Sequence, residues 1–139
     1  MKTKGYKFYN TVAGWFIFLV AAIVYLSTIE PTASFWDCPE FITTASTIQV
    51  GHPPGAPLFM IVGHIFTLFA SNASHVALMC NILTALASAF TILFLFWTIT
   101  HMARKITGEQ DSDPSLPQMI AILGAGAVGA LAYTFSDTF

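Results

Sequence analysis

Long apolar stretches alternate with short polar windows along this chain. Residues 12–29, VAGWFIFLVAAIVYLSTI, run eighteen positions without a charged side chain. As a helix rising 1.5 Å per residue they reach about 27 Å, close to the hydrocarbon thickness of a bilayer. A cleaved leader would need a shorter apolar core and an A-x-A-like site, and no such site precedes Glu30. The pattern predicts a retained membrane helix. Further apolar segments follow at 55–70, 76–100 and 118–135. Pro57 suits the first turn of the second segment, which is short and interrupted by His64. The third carries Asn81, Thr84, Ser88, Thr91 and Thr98 at helical spacing. In lipid such a stripe is expected to hydrogen-bond other helices rather than to line a substrate path. The fourth is rich in Gly and Ala.

The polar window between the first two segments spans 30–54. Within it, CPEFITTASTIQV predicts a short interfacial helix inside 38–50, with Phe41, Ala45 and Ile48 on one face and Thr43, Thr44 and Thr47 toward another. Gly51 and the two prolines after His52 are expected to stop it. The predicted fold is all-α: a polytopic membrane protein of four transmembrane helices and one interfacial helix. Residues 1–139 form a single membrane domain, with 30–54 as its first outer loop. Because SDTF follows directly on an apolar segment, the chain reads as the N-terminal part of a longer protein.

Composition agrees. Charged residues make up 9% and hydrophobic ones 55%, with mean hydropathy +0.71; soluble domains carry about 25% charged residues. The net charge of −2, with five Lys and Arg in all, neutralises few phosphates and argues against a nucleic-acid partner. Lys2, Lys4 and Lys7 beside the first helix predict a cytoplasmic N-terminus, and so an external 30–54 loop. Counting one crossing for each of the three preceding segments puts Arg104 and Lys105 outside, against the positive-inside tendency. Cys38 and Cys80 form no metal or redox motif, and Cys80 reads as a small buried residue.

Some motifs point elsewhere on letters alone. GAGAVG, 124–129, matches G-x-G-x-x-G, but the dinucleotide fingerprint needs a preceding strand and an acidic residue about 20 positions on. In an apolar helix the same letters supply small-xxx-small pairs for close packing, which is the expectation here. His52, His64, His75 and His101 show no metal-ligand spacing. Asn72-Ala73-Ser74 fits a glycosylation sequon, a triplet too common to weigh, and the four-crossing count puts it inside.

The chemistry-bearing window is FWDCPEF, 35–41, followed by GHPPGAP, 51–57. Asp37 and Glu40, three apart, share a helix face. Near a low-dielectric boundary a carboxylic acid's pKa rises, which suits a general base. The structural alternative is equally open on these grounds: Asp37 caps the interfacial helix and Glu40 completes a variant capping box. Pro53 biases His52 toward extended backbone, and the proline pair stiffens the return to the membrane.

An acidic pair in the first outer loop, followed by His-Pro-Pro at the mouth of the next apolar segment, resembles the protein O-mannosyltransferases of the GT-C superfamily. The longer string 31–59, PTASFWDCPEFITTASTIQVGHPPGAPLF, resembles one branch in particular: large bacterial membrane proteins common in Bacteroidetes, with an animal transmembrane O-mannosyltransferase as relative. The resemblance implies transfer of a sugar, mannose in the named relatives, from a polyprenyl-phosphate donor to an external hydroxyl of a protein or glycan acceptor. It implies a multi-pass protein of the bacterial inner membrane, with the loop in the periplasm. It assigns the catalytic base to Asp37, a partner role to Glu40 and donor-phosphate binding to His52. The known O-mannosyltransferases place their two acids side by side, whereas Cys38 and Pro39 separate them here. No cofactor is implied, and a metal is left open. The rival readings are a transporter or channel fragment using the 76–100 stripe and a non-catalytic assembly subunit. Carboxylates committed to helix capping would favour the last.

Overall fold

The computed structural model describes residues 5–53, 55–108 and 113–136. Lys2, Lys4, Pro54, Glu109 and Asp111 lie outside the described residues. Among the described residues the architecture is all-α: α1 (Tyr6–Ser27), α2 (Cys38–Thr47), α3 (Pro57–Thr67), α4 (Val76–Ile106) and α5 (Leu116–Thr134), with a 3₁₀ turn, Ala73–His75, leading into α4. The chain divides into two compact units. Met1–Tyr25 and Ser88–Phe139 form one, and Leu26–Ala87 the other.

Among the described residues, three helices are long and apolar enough to cross a bilayer, where four were predicted: α1, α5 and the 34-residue stretch Ala73–Ile106. They define a multi-pass membrane protein. The segment expected to cross at 55–70 forms an 11-residue helix instead. At 1.5 Å per residue it reaches about 16 Å, roughly half the hydrocarbon thickness.

In the unit built from 1–25 and 88–139, apolar side chains lie on both the inner and the outer faces: Ile17, Ile92 and Phe96 are buried together with Ala21, Ala22, Ala89 and Ala130. On α1, Gly14, Ala21 and Ala22 are buried, whereas Phe8, Val12, Phe16, Leu19 and Ile23 are exposed. A water-soluble helix would carry charged and polar residues on that outer face. Lipid tails are as apolar as these side chains, so the interior is held by close packing rather than by apolar burial. Accordingly, the α1 backbone at Gly14 lies directly against the Trp97 indole. The Trp97 Nε1–H donates to the Asn10 carbonyl at 3.3 Å. Phe18 and Phe90 rings lie 4.6 Å apart, and the Arg104 guanidinium sits 4.6 Å from the centre of the Tyr6 ring.

These pairs run in opposite senses along the two helices, so α1 and α4 are antiparallel. Arg104 therefore stands at the same end of this unit as Tyr6 and Lys7. That reverses the expectation from four crossings, which put it opposite them.

α5 folds back on α4. A Cβ on Gly126 would lie 2.6 Å from Thr100 Cγ2, and one on Gly129 would lie 2.6 Å from Ile99 Cδ1. Residues 118–123 are helical, so GAGAVG is a packing face, as the small-xxx-small reading expected. The start of α5 is capped by Ser115, whose backbone N–H donates to Gln118 Oε1 at 2.9 Å and whose hydroxyl donates to the same oxygen.

In the polar stripe of α4, Thr84 and Thr98 turn back on carbonyls of their own helix rather than bonding another. Thr84, Ser88, Thr91 and Thr98 are exposed. Asn81 bonds a loop rather than a helix: its amide donates to the carbonyls of Glu30 and Thr32 at 2.7 and 3.0 Å.

Candidate functional site

Within the 26–87 unit, α2 and α3 pack on each other. Ile42, Ala45, Met60 and Cys80 form the centre of that packing. Close approach is possible because residue 63 is glycine: a Cβ there would lie 3.0 Å from the Ala45 Cβ. Thr44 belongs to the buried face, its hydroxyl bonding the Glu40 carbonyl and touching Met60 Sδ at 3.1 Å. Ile48, expected on the buried face, is exposed. α2 ends at Thr47, before the predicted glycine and proline stop. Ile48 takes left-handed backbone (φ 51°), and the Gln49 N–H closes the end on the Thr44 carbonyl at 2.8 Å. His64 completes this C-terminus, its Nδ1 lying 3.1 and 3.2 Å from the Ala45 and Ser46 carbonyls. Helix ends leave such carbonyls without partners, and an imidazole N–H satisfies them.

At the other end of α2, Trp36 has left-handed backbone (φ 65°) and Pro39 occupies the first turn. Asp37 holds the cap position with φ −77° and ψ −8°, and its side chain makes no capping hydrogen bond. A capping side chain reaches the first amides from extended backbone, and Asp37 is already helical. Glu40 does not close a capping box either; both of its oxygens go to His52. Oε1 accepts the His52 backbone N–H at 2.7 Å, and Oε2 pairs with His52 Nδ1 at 2.9 Å.

Gly51 makes room for this pairing, since a Cβ there would crowd Glu40 Oε1 at 3.1 Å. The Phe41 ring meets the His52 ring edge-on with centres 6.2 Å apart. Glu40, Phe41, Thr44, His52, Ala56 and Met60 line a shallow recess. The two hydrogen bonds from His52 hold the Glu40 carboxyl below its usual range. In turn Glu40, through its hydrogen bond and its charge, raises the His52 imidazole, with Asp37 adding to the effect.

The three residues singled out from the sequence thus converge. Asp37, Glu40 and His52 each offer a ligand atom within 4.8 Å of the others. Two carboxylates and an imidazole suit a divalent cation of the magnesium, manganese or zinc type. Asp37 and His52 are exposed, however, and His52 Nδ1 is already engaged by Glu40. Gly51, Gly63 and His64 went unrecognised as parts of this assembly. His64 read as an interruption of an apolar run, and its partners lie 18 and 19 positions earlier in the chain.

Fold and site together define a multi-pass all-α membrane protein whose first inter-span segment carries an acid, acid, imidazole cluster. The family described as protein O-mannosyl-transferase TMEM260 N-terminal domain matches residues 37–139. The chain belongs to that family, and the match takes in Asp37, Glu40 and His52. Among curated relatives, it is 32% identical over 84 residues to protein O-mannosyl-transferase tmem260 of Dictyostelium discoideum, covering 60% of this chain and 10% of that protein. It is 33% identical over 95 residues to protein O-mannosyl-transferase TMEM260 of Mus musculus, covering 66% of this chain and 13% of that protein. The chain thus spans between a tenth and a seventh of these relatives. No solved structure matches.

Proposed function

We propose that this chain is the N-terminal membrane part of a GT-C-type glycosyltransferase that moves a sugar, mannose by its relatives, from a polyprenyl phosphate to an external hydroxyl. The observation that carries the reading is the division of labour in the cluster. Glu40 is held by His52 through both oxygens, while the Asp37 carboxylate makes no capping bond. An acceptor hydroxyl approaching Asp37 gives up its proton to the carboxylate as its oxygen attacks the anomeric carbon. The bond from that carbon to the lipid phosphate breaks, and the phosphate leaves with the electron pair. His52, whose protonated form the Glu40 contact favours, faces that developing charge and binds the donor phosphate. Glu40 acts through His52 and is a positioning residue.

Relatives named as O-mannosyl-transferases support the class of reaction; donor and acceptor are part of the proposal. So is the orientation, with the N-terminus in the cytoplasm and the 30–54 segment outside, in the periplasm of a bacterial inner membrane. The activity belongs to the full-length protein. The test is transfer by that protein from a panel of polyprenyl-phosphate sugars to a Ser/Thr-containing peptide. Mannosylated product from the mannosyl donor is expected. Transfer from a nucleotide sugar alone would overturn the donor assignment, and no transfer from any donor would overturn the function.

A further inference from the structure

Among the described residues, two other than glycine hold left-handed backbone, Trp36 and Ile48. Such backbone is costly for a residue with a Cβ and suits glycine. At Ile48 the cost is offset within the chain: its N–H and that of Gln49 close the end of α2 on the Ala45 and Thr44 carbonyls. At Trp36 (φ 65°) no packing of the side chain offsets it, because the residue is 95% exposed. The tryptophans of the other unit are placed differently. Trp15 and Trp97 meet edge-on with ring centres 6.3 Å apart, and the Trp97 N–H donates to the Asn10 carbonyl. The Trp36 indole leaves its faces and its N–H open.

Trp36 is joined directly to Asp37, and its left-handed turn leads into α2, which carries Glu40. Trp36, Asp37, Glu40 and His52 all belong to the 26–87 unit, and the last three bring ligand atoms within 4.8 Å of one another. In the reaction proposed above, the donor phosphate lies on His52 and the acceptor oxygen on Asp37, so the sugar between them borders residue 36. The aromatic ring that lines the recess, Phe41, is already engaged: it meets His52 edge-on, and the Phe59 ring lies 5.6 Å away at 78°. A pyranose combines a face of C–H bonds, slightly positive, with a rim of hydroxyls. An indole matches both, with a negative π face and an N–H donor at its edge.

We propose that Trp36 is a sugar-binding residue of this site, its indole stacking on the C–H face of the hexose carried by the lipid-linked donor, beside Asp37. The assignment rests on the transferase reading above. Stacking holds the sugar about equally before and during transfer, because its C–H face changes little as the anomeric bond breaks. Trp36 therefore contributes to donor affinity more than to turnover. Headgroup contact is the other common use of an exposed tryptophan. A headgroup anchor needs only an apolar neighbourhood. Trp36 instead adjoins the first acid of a cluster of three ionisable residues, and that adjacency points to the sugar.

The test uses the full-length protein. Trp36→Gly removes the ring and relieves the left-handed backbone, so thermal stability should hold or rise. KM for polyprenyl-phosphate mannose should rise about 3–10-fold, the scale of one aromatic stacking contact, with kcat changing less and Trp36→Phe lying between. Fluorine NMR of the protein labelled with 5-fluorotryptophan reads binding apart from turnover, the Trp36 signal being the one missing from Trp36→Phe. That signal should move when polyprenyl-phosphate mannose is added, and stay when the same polyprenyl phosphate is added without its sugar. An equal shift with the sugar-free lipid would mean that the ring meets lipid, and a loss of stability in Trp36→Gly that the ring is structural. Either overturns the assignment. An unchanged KM and an unmoved signal, in a protein that still transfers, would overturn it and leave the function standing. No transfer from any donor would overturn both.

Discussion

Glu40 binds His52 at two points, the backbone N–H at 2.7 Å and ring Nδ1 at 2.9 Å, across twelve residues that include the end of α2 and its C-terminal turn. The double contact fixes both the position of His52 and the tilt of its ring. It also favours the charged form of both partners.

A pH dependence follows. His52 is raised above its ordinary 6.5, so its share of the pairing is fully present below that value and is lost as pH rises through the raised one. Glu40 is lowered from 4.5, so its share is present above that value and lost as pH falls through the lowered one. The pairing is strongest between those limits. Histidine NMR of the full-length protein should find His52 titrating above 6.5, and Glu40→Gln should bring it down toward that value. A His52 titration unmoved by Glu40→Gln would show that the contact is not made in the membrane. With both side chains partly exposed (49% for His52, 39% for Glu40), high salt should weaken the effect.

Gly126 is the position least able to accept a side chain in the α4–α5 packing. A Cβ there meets Thr100 Cγ2 at 2.6 Å and the Phe96 ring at 2.9 Å. Gly126→Val should cost about 1–3 kcal/mol, the usual penalty for overfilling a packed interior. Gly124, with nothing within 4 Å, should accept Ala without loss. Thermal unfolding of the detergent-solubilised protein compares the two. Equal stability would mean that α4 and α5 are not packed through this face.

His64→Ala removes the imidazole from the Ala45 and Ser46 carbonyls. The expected loss is about 1 kcal/mol, the net value of a typical hydrogen bond. It should appear locally, as faster amide exchange at Ile48 and Gln49, whose N–H groups close the end of α2. Faster exchange throughout α3 with none at Gln49 would instead assign His64 to α3's own stability.

Much of this was legible in the chain because lipid leaves few options. Eighteen uncharged residues at 12–29 become a helix in a membrane almost regardless of detail, and G-A-G-A-V-G inside an apolar run becomes a packing face. The approach of Asp37, Glu40 and His52 was legible as a polar window but not as a geometry, since the pairing depends on where α2 stops. That stop is set by left-handed Ile48 and by His64 from the following helix, and neither has a local signature. The crossing count failed at 55–70 for a related reason. Hydropathy measures apolar content and not direction, and the sense of α4 shows in its contacts with α1 at Tyr6, Asn10, Gly14 and Phe18.

The roles of the two acids separate under substitution. Asn is about as good a helix cap as Asp, so Asp37→Asn changes little if the residue is structural. If Asp37 takes the acceptor's proton, the amide cannot, and transfer should fall by at least about a hundredfold, the lower end of what a general base contributes. Protein level and thermal stability should stay near those of the unsubstituted protein, because no capping bond is lost. Glu40→Gln keeps an oxygen for the His52 backbone N–H but gives up the charge opposite Nδ1. Donor binding should weaken, seen as a raised KM for the lipid-linked sugar, and the basic limb of the pH profile should move down with His52. The fall in kcat should be smaller than for Asp37→Asn. If Glu40→Gln is the inactive variant and Asp37→Asn retains its rate, the base is Glu40 and its contact with His52 must open during the reaction. Near-normal rates in both variants would remove the catalytic role from this cluster altogether.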